Sequence, residues 1–291
     1  MRFYLITLLA ITLFSCSRKS ESSCDFYFNR NVEQTKLPGT LKEISGITFL
    51  SKNKIACVQD EKGVVYIYDI HKDKLRESID FAGDKDYEAI ANVNDTIYVL
   101  RSNGDIYEID DLESDHTTSI THHTFLSKIN NSEGMCYDPK NHRLLIACKG
   151  KPEKGTAKKY LKAVYGFDLS TKTLAENPVL VIDPVQIIEL ANQSEPYSIF
   201  SRTTRVDQFD PAEIAIDPVT GHYFILSSVG KRIGVFSENG SLICAVNLDE
   251  KIYKQPEGLA FNKAGNLVIS DEGRNGKANL VLAERKLTDV K

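Results

Sequence analysis

Lys42-Glu-Ile-Ser-Gly-Ile-Thr48, Lys85-Asp-Tyr-Glu-Ala-Ile-Ala91, Asn130-Asn-Ser-Glu-Gly-Met-Cys136, Phe209-Asp-Pro-Ala-Glu-Ile-Ala215 and Lys254-Gln-Pro-Glu-Gly-Leu-Ala260 are five copies of one pattern. In each, a short polar run leads into an apolar strand. Set in register, the fourth residue is Ser45, Glu88, Glu133, Ala212 and Glu257, and the next is small in four of the five. Two places before the fourth stand Glu43, Asp86, Asn131, Asp210 and Gln255, polar every time.

Strand-like runs recur after each entry, rich in Ile, Val, Leu and Tyr and bounded by turn residues. The second run of each unit is Lys54 to Val58, Thr96 to Leu100, Arg143 to Cys148, His222 to Ser227 and Asn266 to Ser270. The third is Val64 to Ile70, Asp105 to Ile109, Ala163 to Leu169, Arg232 to Phe236 and Ala278 to Ala283. A fourth appears near Leu75 to Phe81, Ser119 to Leu126, Val179 to Ile182 and Ser241 to Leu248, and the last unit lacks one. The fourth-position residues are spaced 43, 45, 79 and 45 apart. Four-stranded units of roughly 40–50 residues are propeller blades. This predicts an all-β, five-bladed β-propeller, with six blades as the alternative should the 79-residue unit hide two thin sheets. Within that unit, Lys149 to Lys162 and Pro184 to Phe209 read as inserts, with a helix over Val185 to Asn192. The unpartnered segment Asp25 to Arg30 is the candidate for the missing outer strand of the last blade, closing the ring and removing its open edge.

The chain of 291 residues is 26% charged with a formal net charge of −4. It lacks the basic excess that a nucleic-acid partner would call for. Phe3 to Phe14 is an apolar run after a basic start, too short to span a bilayer as a permanent helix. Leu13-Phe14-Ser15-Cys16 resembles a bacterial lipobox, whose cysteine becomes the acylated first residue. The expected layout is a signal peptide over 1–16 ending at a lipidated Cys16, a tether over 17–24 and one propeller domain over 25–291. The alternative is an ordinary secretory signal with a chance cysteine. The lipid reading implies a cell-envelope protein held by acylated Cys16 in membrane lipid, at the outer membrane facing the periplasm. Of the other cysteines, Cys57, Cys136, Cys148 and Cys244 sit in apolar runs, and with Cys24 they form no even-spaced framework. Buried free thiols are the expected state.

In a four-stranded antiparallel blade, the innermost strand begins on the face where the second strand ends. The polar entries therefore share one channel mouth with Asp60, Glu61, Arg101, Lys149, Ser228, Asp271 and Glu272. Side chains two apart on a strand share an orientation. An inner layer of Glu88, Glu133 and Glu257 is thus expected, with Glu43, Asp86 and Asp210 one step nearer the mouth. Glu213, at the small-residue position, is expected to point elsewhere. Carboxylates gathered this way repel by several kcal/mol per close pair at intermediate dielectric, of order 4 kcal/mol at 4 Å. Protons, a lysine or a metal must neutralise them. Oxygen-only donors select a hard cation, and the flexible mixed set suits Ca²⁺. The alternative is that the glutamates cap backbone N–H groups between blades.

The entry motifs, together with Val58-Gln-Asp-Glu-Lys-Gly63 and Ser132-Glu-Gly-Met-Cys-Tyr-Asp-Pro139, resemble those of the SdiA-regulated family of bacterial β-propellers over about Leu41 to Gly273. The resemblance implies a five-bladed propeller distantly related to NHL-repeat proteins, a proposed Ca²⁺ site and no established activity. The family pattern has a small pair where this chain has Ala212-Glu213.

Two functional classes remain open from sequence. One is a binding module whose mouth takes a small ligand or an envelope protein. The other is a calcium-dependent hydrolase of the lactonase, esterase or phytase-like propeller type, with Glu88 or Glu133 handling protons. No Gly-x-Ser-x-Gly elbow, His-Glu-x-x-His helix or phosphate-binding glycine loop occurs, and the six histidines fall outside the predicted mouth. Arg101, Lys149, Lys151 and Arg202 are the basic residues a phosphate ligand would use.

Overall fold

The structure is a computed structural model that describes residues 32–110, 112, 117–152, 160–193, 208–274 and 276–285. Strand β1 (Val32–Lys36) opens the described chain. Blade 1 follows as β2 (Ile44–Phe49), β3 (Lys54–Gln59), β4 (Val64–Asp69) and β5 (Lys74–Asp80). Blade 2 is β6 (Tyr87–Val93), β7 (Thr96–Arg101), β8 (Ile106–Ile109) and β9 (Ser119–His122). Blade 3 is β10 (Ser132–Asp138), β11 (Arg143–Cys148) and β12 (Lys162–Asp168), with its outer strand split into β13 (Thr173–Leu174) and β14 (Leu180–Ile182). Blade 4 is β15 (Pro211–Ile216), β16 (Tyr223–Ser227), β17 (Arg232–Phe236) and β18 (Leu242–Asn247). Blade 5 is β19 (Pro256–Phe261), β20 (Leu267–Asp271) and β21 (Asn279–Ala283), and β1 pairs antiparallel with β21 as its outer strand.

The long unit is therefore one blade, and the ring has five. Its second insert contains helix α1 (Pro184–Gln193), packed against β18 on the outer side of blade 4. The ring is closed by the N-terminal segment, but the strand is Val32–Lys36; the expected Asp25 to Arg30 lies outside the described residues.

The second strands read as unbroken apolar runs because both faces of a blade are covered by neighbours. In β3, Ile55 and Cys57 enter the core shared with blade 5, while Ala56 and Val58 enter the core shared with blade 2. Cys57, Cys136 and Cys148 are free thiols, as expected. Cys244 is not: it is disulfide-bonded, with its partner outside the described residues. Cys24 also lies outside them.

The inner strands converge so closely that Gly46 and Gly134 have no room for a side chain. A Cβ on Gly46 would stand 2.5 Å from Ala89 Cα, and one on Gly134 would stand 2.7 Å from Glu213 Cα. Both obstacles are backbone of the adjacent blade, which cannot swing aside. Gly46→Ala is expected to cost about 2 kcal/mol or more, read as a lower urea midpoint with an unchanged slope.

Candidate functional site

A strand inside a blade normally directs its side chains onto the two blade faces and leaves only backbone at the axis. Here every inner strand departs from that rule at the same place. The pairing of first and second strands slips by one residue between Ile44 and Ile47, Tyr87 and Ala89, Ser132 and Gly134, Pro211 and Glu213, and Pro256 and Leu259. These are β-bulges, which bend a strand and re-aim a side chain. In β6 the consequence is visible in the cores: Tyr87 before the bulge and Ile90 after it both pack toward blade 1, whereas Ala89 and Ala91 pack toward blade 3. Glu88 belongs to neither face and lines the axial cavity.

The cavity is about 190 Å³ and contains every member of the predicted inner layer: Ser45, Glu88, Glu133 and Glu257, with Ala212 from blade 4. Glu43 and Asp86 line it one step nearer the mouth, as does Gln255. Asp60, Lys149 and Glu272 join from the ends of second strands. Seven carboxylates therefore face a single ammonium. Asp210 is the exception among the predicted acids. It is outside the cavity lining, drawn into an ion pair with Lys162 at 2.6 Å. Asn131 stands beside the ring and donates from Nδ2 to Glu133 Oε1 at 2.5 Å.

Backbone bonds between blades frame this mouth. Tyr87 N–H donates to Asp60 O at 2.8 Å, Ser132 N–H to Ser102 O at 2.9 Å, and Gly273 N–H to Lys42 O at 2.8 Å. The glutamates of the ring do not make these bonds; one residue that does cap backbone is Glu213. Its buried Oε1 accepts from Met135 N–H of blade 3 at 2.8 Å and from Ile214 N–H at 3.0 Å, while Oε2 has no partner. Glu213 is outside the cavity, yet its carboxyl interacts electrostatically with Glu133 and Glu88.

The acid cluster is neutralised partly by Lys149, whose Nζ lies 3.3 Å from Glu133 Oε1. Burial works against this ammonium, but the charges of Glu133, Glu257 and Glu88 outweigh it and hold its pKa above the ordinary lysine value. Raised carboxyl pKa values make protons a second contributor. Burial, then the charges of Glu133 and Asp86, raise the Glu88 carboxyl far above the carboxylate range. Burial likewise raises Glu133 in spite of Lys149. Burial raises Glu257 to about 7 although Gln255 and Ser228 donate to it, the latter at 3.1 Å. Asp60 is raised to about 6 by burial and by Glu43, Glu61 and Asp86, and its buried Oδ1 has no hydrogen-bond partner. Among the described residues no group of three or more His, Cys, Asp or Glu side chains stands in an arrangement ready to hold a metal ion.

The five described histidines lie elsewhere: His122 pairs with Glu108 at 2.5 Å in the outer strand of blade 2, His123 pairs with Asp105, His142 lies beside Tyr137, and His71 and His222 are also outside the cavity lining. Arg101 is turned to Asp105 at 3.5 Å, and Arg202 is outside the described residues.

The sequence pattern of the SdiA-regulated family matches residues 21–275. The chain belongs to the SdiA-regulated family. No curated protein matches this SdiA-regulated chain significantly. Similar solved structures include glutaminyl cyclase of Myxococcus xanthus, at 11% identity over 88% of this chain and 96% of that one, with a TM-score of 0.54. Streptogramin B lyase is also similar, at 11% identity over 87% and 98%, with a TM-score of 0.50. Identities this low place the SdiA-regulated chain among propellers by shape alone.

Proposed function

We propose that the protein is a lipid-anchored binding module of the cell envelope whose axial mouth takes up a Ca²⁺ ion and, over it, a small ligand or an envelope protein. One observation carries this reading: seven carboxylates and one lysine line the same cavity, a formal charge of −6 at one end of a rigid ring. The donor chemistry fits a hard cation, being all oxygen and mixed between carboxylates and the Gln255 amide. The unpartnered Asp60 Oδ1 supports the same reading, since a buried acceptor left without a donor is costly. Glu88, Glu133 and Glu257 would hold the ion, which would supply the positive charge that one lysine and protons now supply. The disulfide at Cys244 supports an oxidising compartment such as the envelope.

Titration calorimetry of chelator-treated protein tests this. Ca²⁺ is expected to bind and to raise the melting temperature by about 3–5 °C at tenfold Kd. The Glu88→Gln, Glu133→Gln, Glu257→Gln triple variant is expected to lose both effects. A melting temperature indifferent to Ca²⁺ and to chelator refutes the ion site.

A calcium-dependent hydrolase is the second reading, favoured by the carboxyls of Asp60, Asp86 and Glu272, which line the cavity beyond the three glutamates that would hold the ion and so remain to handle protons. Chelator-sensitive turnover of esters, lactones or phosphoesters, abolished by Glu133→Gln, would establish it in place of the binding module.

A further inference from the structure

Three observations fix which way this propeller is presented to its surroundings. The first is the direction of β1. Pro256 at the mouth pairs with Asp271, Asp271 with Asn279, and Asn279 with Lys36, so Lys36 is at the mouth end of blade 5. Val32 pairs with Ala283, at the opposite end. The chain thus enters the fold on the far face.

The second is Cys244. It pairs with Val235, which faces Phe224 and through it Ala215, several residues along β15 from the mouth residue Pro211. Its disulfide partner is outside the described residues; with Cys16 given to the acyl group, the cysteine left to pair with it is Cys24, which also precedes β1.

The third is charge. The mouth carries the excess of carboxylates, and anionic lipid headgroups repel such a surface. On the far face, the turns between first and second strands expose Lys52, Lys140 and Lys263, with Lys140 paired to Glu238, and the exposed Val219. Asp95 and Asp217 are the acids among these turns, and Asp217 is paired with Arg285.

We propose that the far face lies against the bilayer and that the acidic mouth is turned away from it, toward soluble partners. This rests on the reading that Cys16 is acylated.

The test uses full-length protein reconstituted in phosphatidylethanolamine–phosphatidylglycerol vesicles containing a headgroup-quencher lipid. A fluorophore is placed on Lys52→Cys at the far face or on Glu61→Cys, an exposed position beside the mouth. Labelling of the unsubstituted protein corrects for the native thiols. The Lys52→Cys probe is expected to lose most of its emission and the Glu61→Cys probe little. Equal quenching, or the reverse order, on protein that floats with the vesicles overturns the orientation while leaving the anchor intact. Protein that does not float, with an unacylated Cys16 peptide by mass spectrometry, overturns the anchor and the orientation together.

Discussion

Protein that begins at Leu37 will show no cooperative melt, whereas protein that begins at Asp25 will melt in one transition. The two differ by β1, the outer strand of blade 5. Without it, five consecutive pairings from Val32–Ala283 to Lys36–Asn279 are lost, and β21 becomes an open edge. That edge carries Leu280 and Val281, each nearly inaccessible in the closed ring. Beyond the local loss, a propeller is held by the contact of its last blade with its first: the core containing Leu37, Leu41 and Ile47 of the first part of the chain also contains Ala260, Val268 and Leu280 of the last. Opening the ring exposes that core and offers an unpaired apolar strand to other copies. The check is circular dichroism against temperature, with light scattering to register association. A single sharp transition in the shorter protein would mean that blade 5 is closed by something other than this strand.

The second large effect is on pH. Chelator-treated protein is expected to lose about 3 kcal/mol of stability between pH 5 and pH 8, after allowance for solvent reaching the mouth, or roughly 5–10 °C in melting temperature. The sign follows from the direction of the shifts. Glu257 and Asp60 are raised to about 7 and about 6, and Glu88 and Glu133 are raised too, so the folded state keeps protons that the unfolded chain has released. Their contribution is complete below the ordinary carboxylate range and is lost as pH climbs through the raised values. Asp105 and Glu108, held below that range despite burial by His123 and Lys172 among others, act only at lower pH and set the acid limit of the optimum. The triple glutamine variant has no proton to release at three of these positions and should lose most of the slope. A wild-type melting temperature that rises from pH 5 to pH 8 would show that the cluster is ionised and compensated in another way.

The blades were legible because burial on both faces writes each strand as a run of apolar residues between turn residues, as in Ile55 to Val58 or Tyr223 to Leu226. The meeting of Glu88, Glu133 and Glu257 was legible because equivalent positions of a closed repeat surround one axis. What lay beyond reach were features set by neighbours in space. Asp210 occupies the same register position as Asp86, yet Lys162, from the far side of an insert, captures it. Lys149 was placed on the correct face, but its ion pair with Glu133 depends on the strand-to-strand offset, which residue types alone do not give. Glu213 was set aside on strand parity; its carboxyl is indeed outside the cavity, but it is buried between blades and coupled to the ring through the low-dielectric interior. The closing strand was assigned to the aromatic Asp25 to Arg30, which lies outside the described residues; the pairing seen among the described ones covers the plainer Val32–Lys36.

Because each blade spends a single extra residue to turn one side chain inward, the inward residue takes no part in holding the barrel of sheets together. Position 45, 88, 133, 212 or 257 can exchange its side chain without disturbing a core contact. The ring is thus a dial with five settings, sterically separate though coupled through their charges, and the present one, with serine in blade 1 and alanine in blade 4, is one choice among many. Relatives with other ligands should differ first at these five places, and a designer wishing to retune the mouth would begin by placing a carboxylate at Ser45 or Ala212.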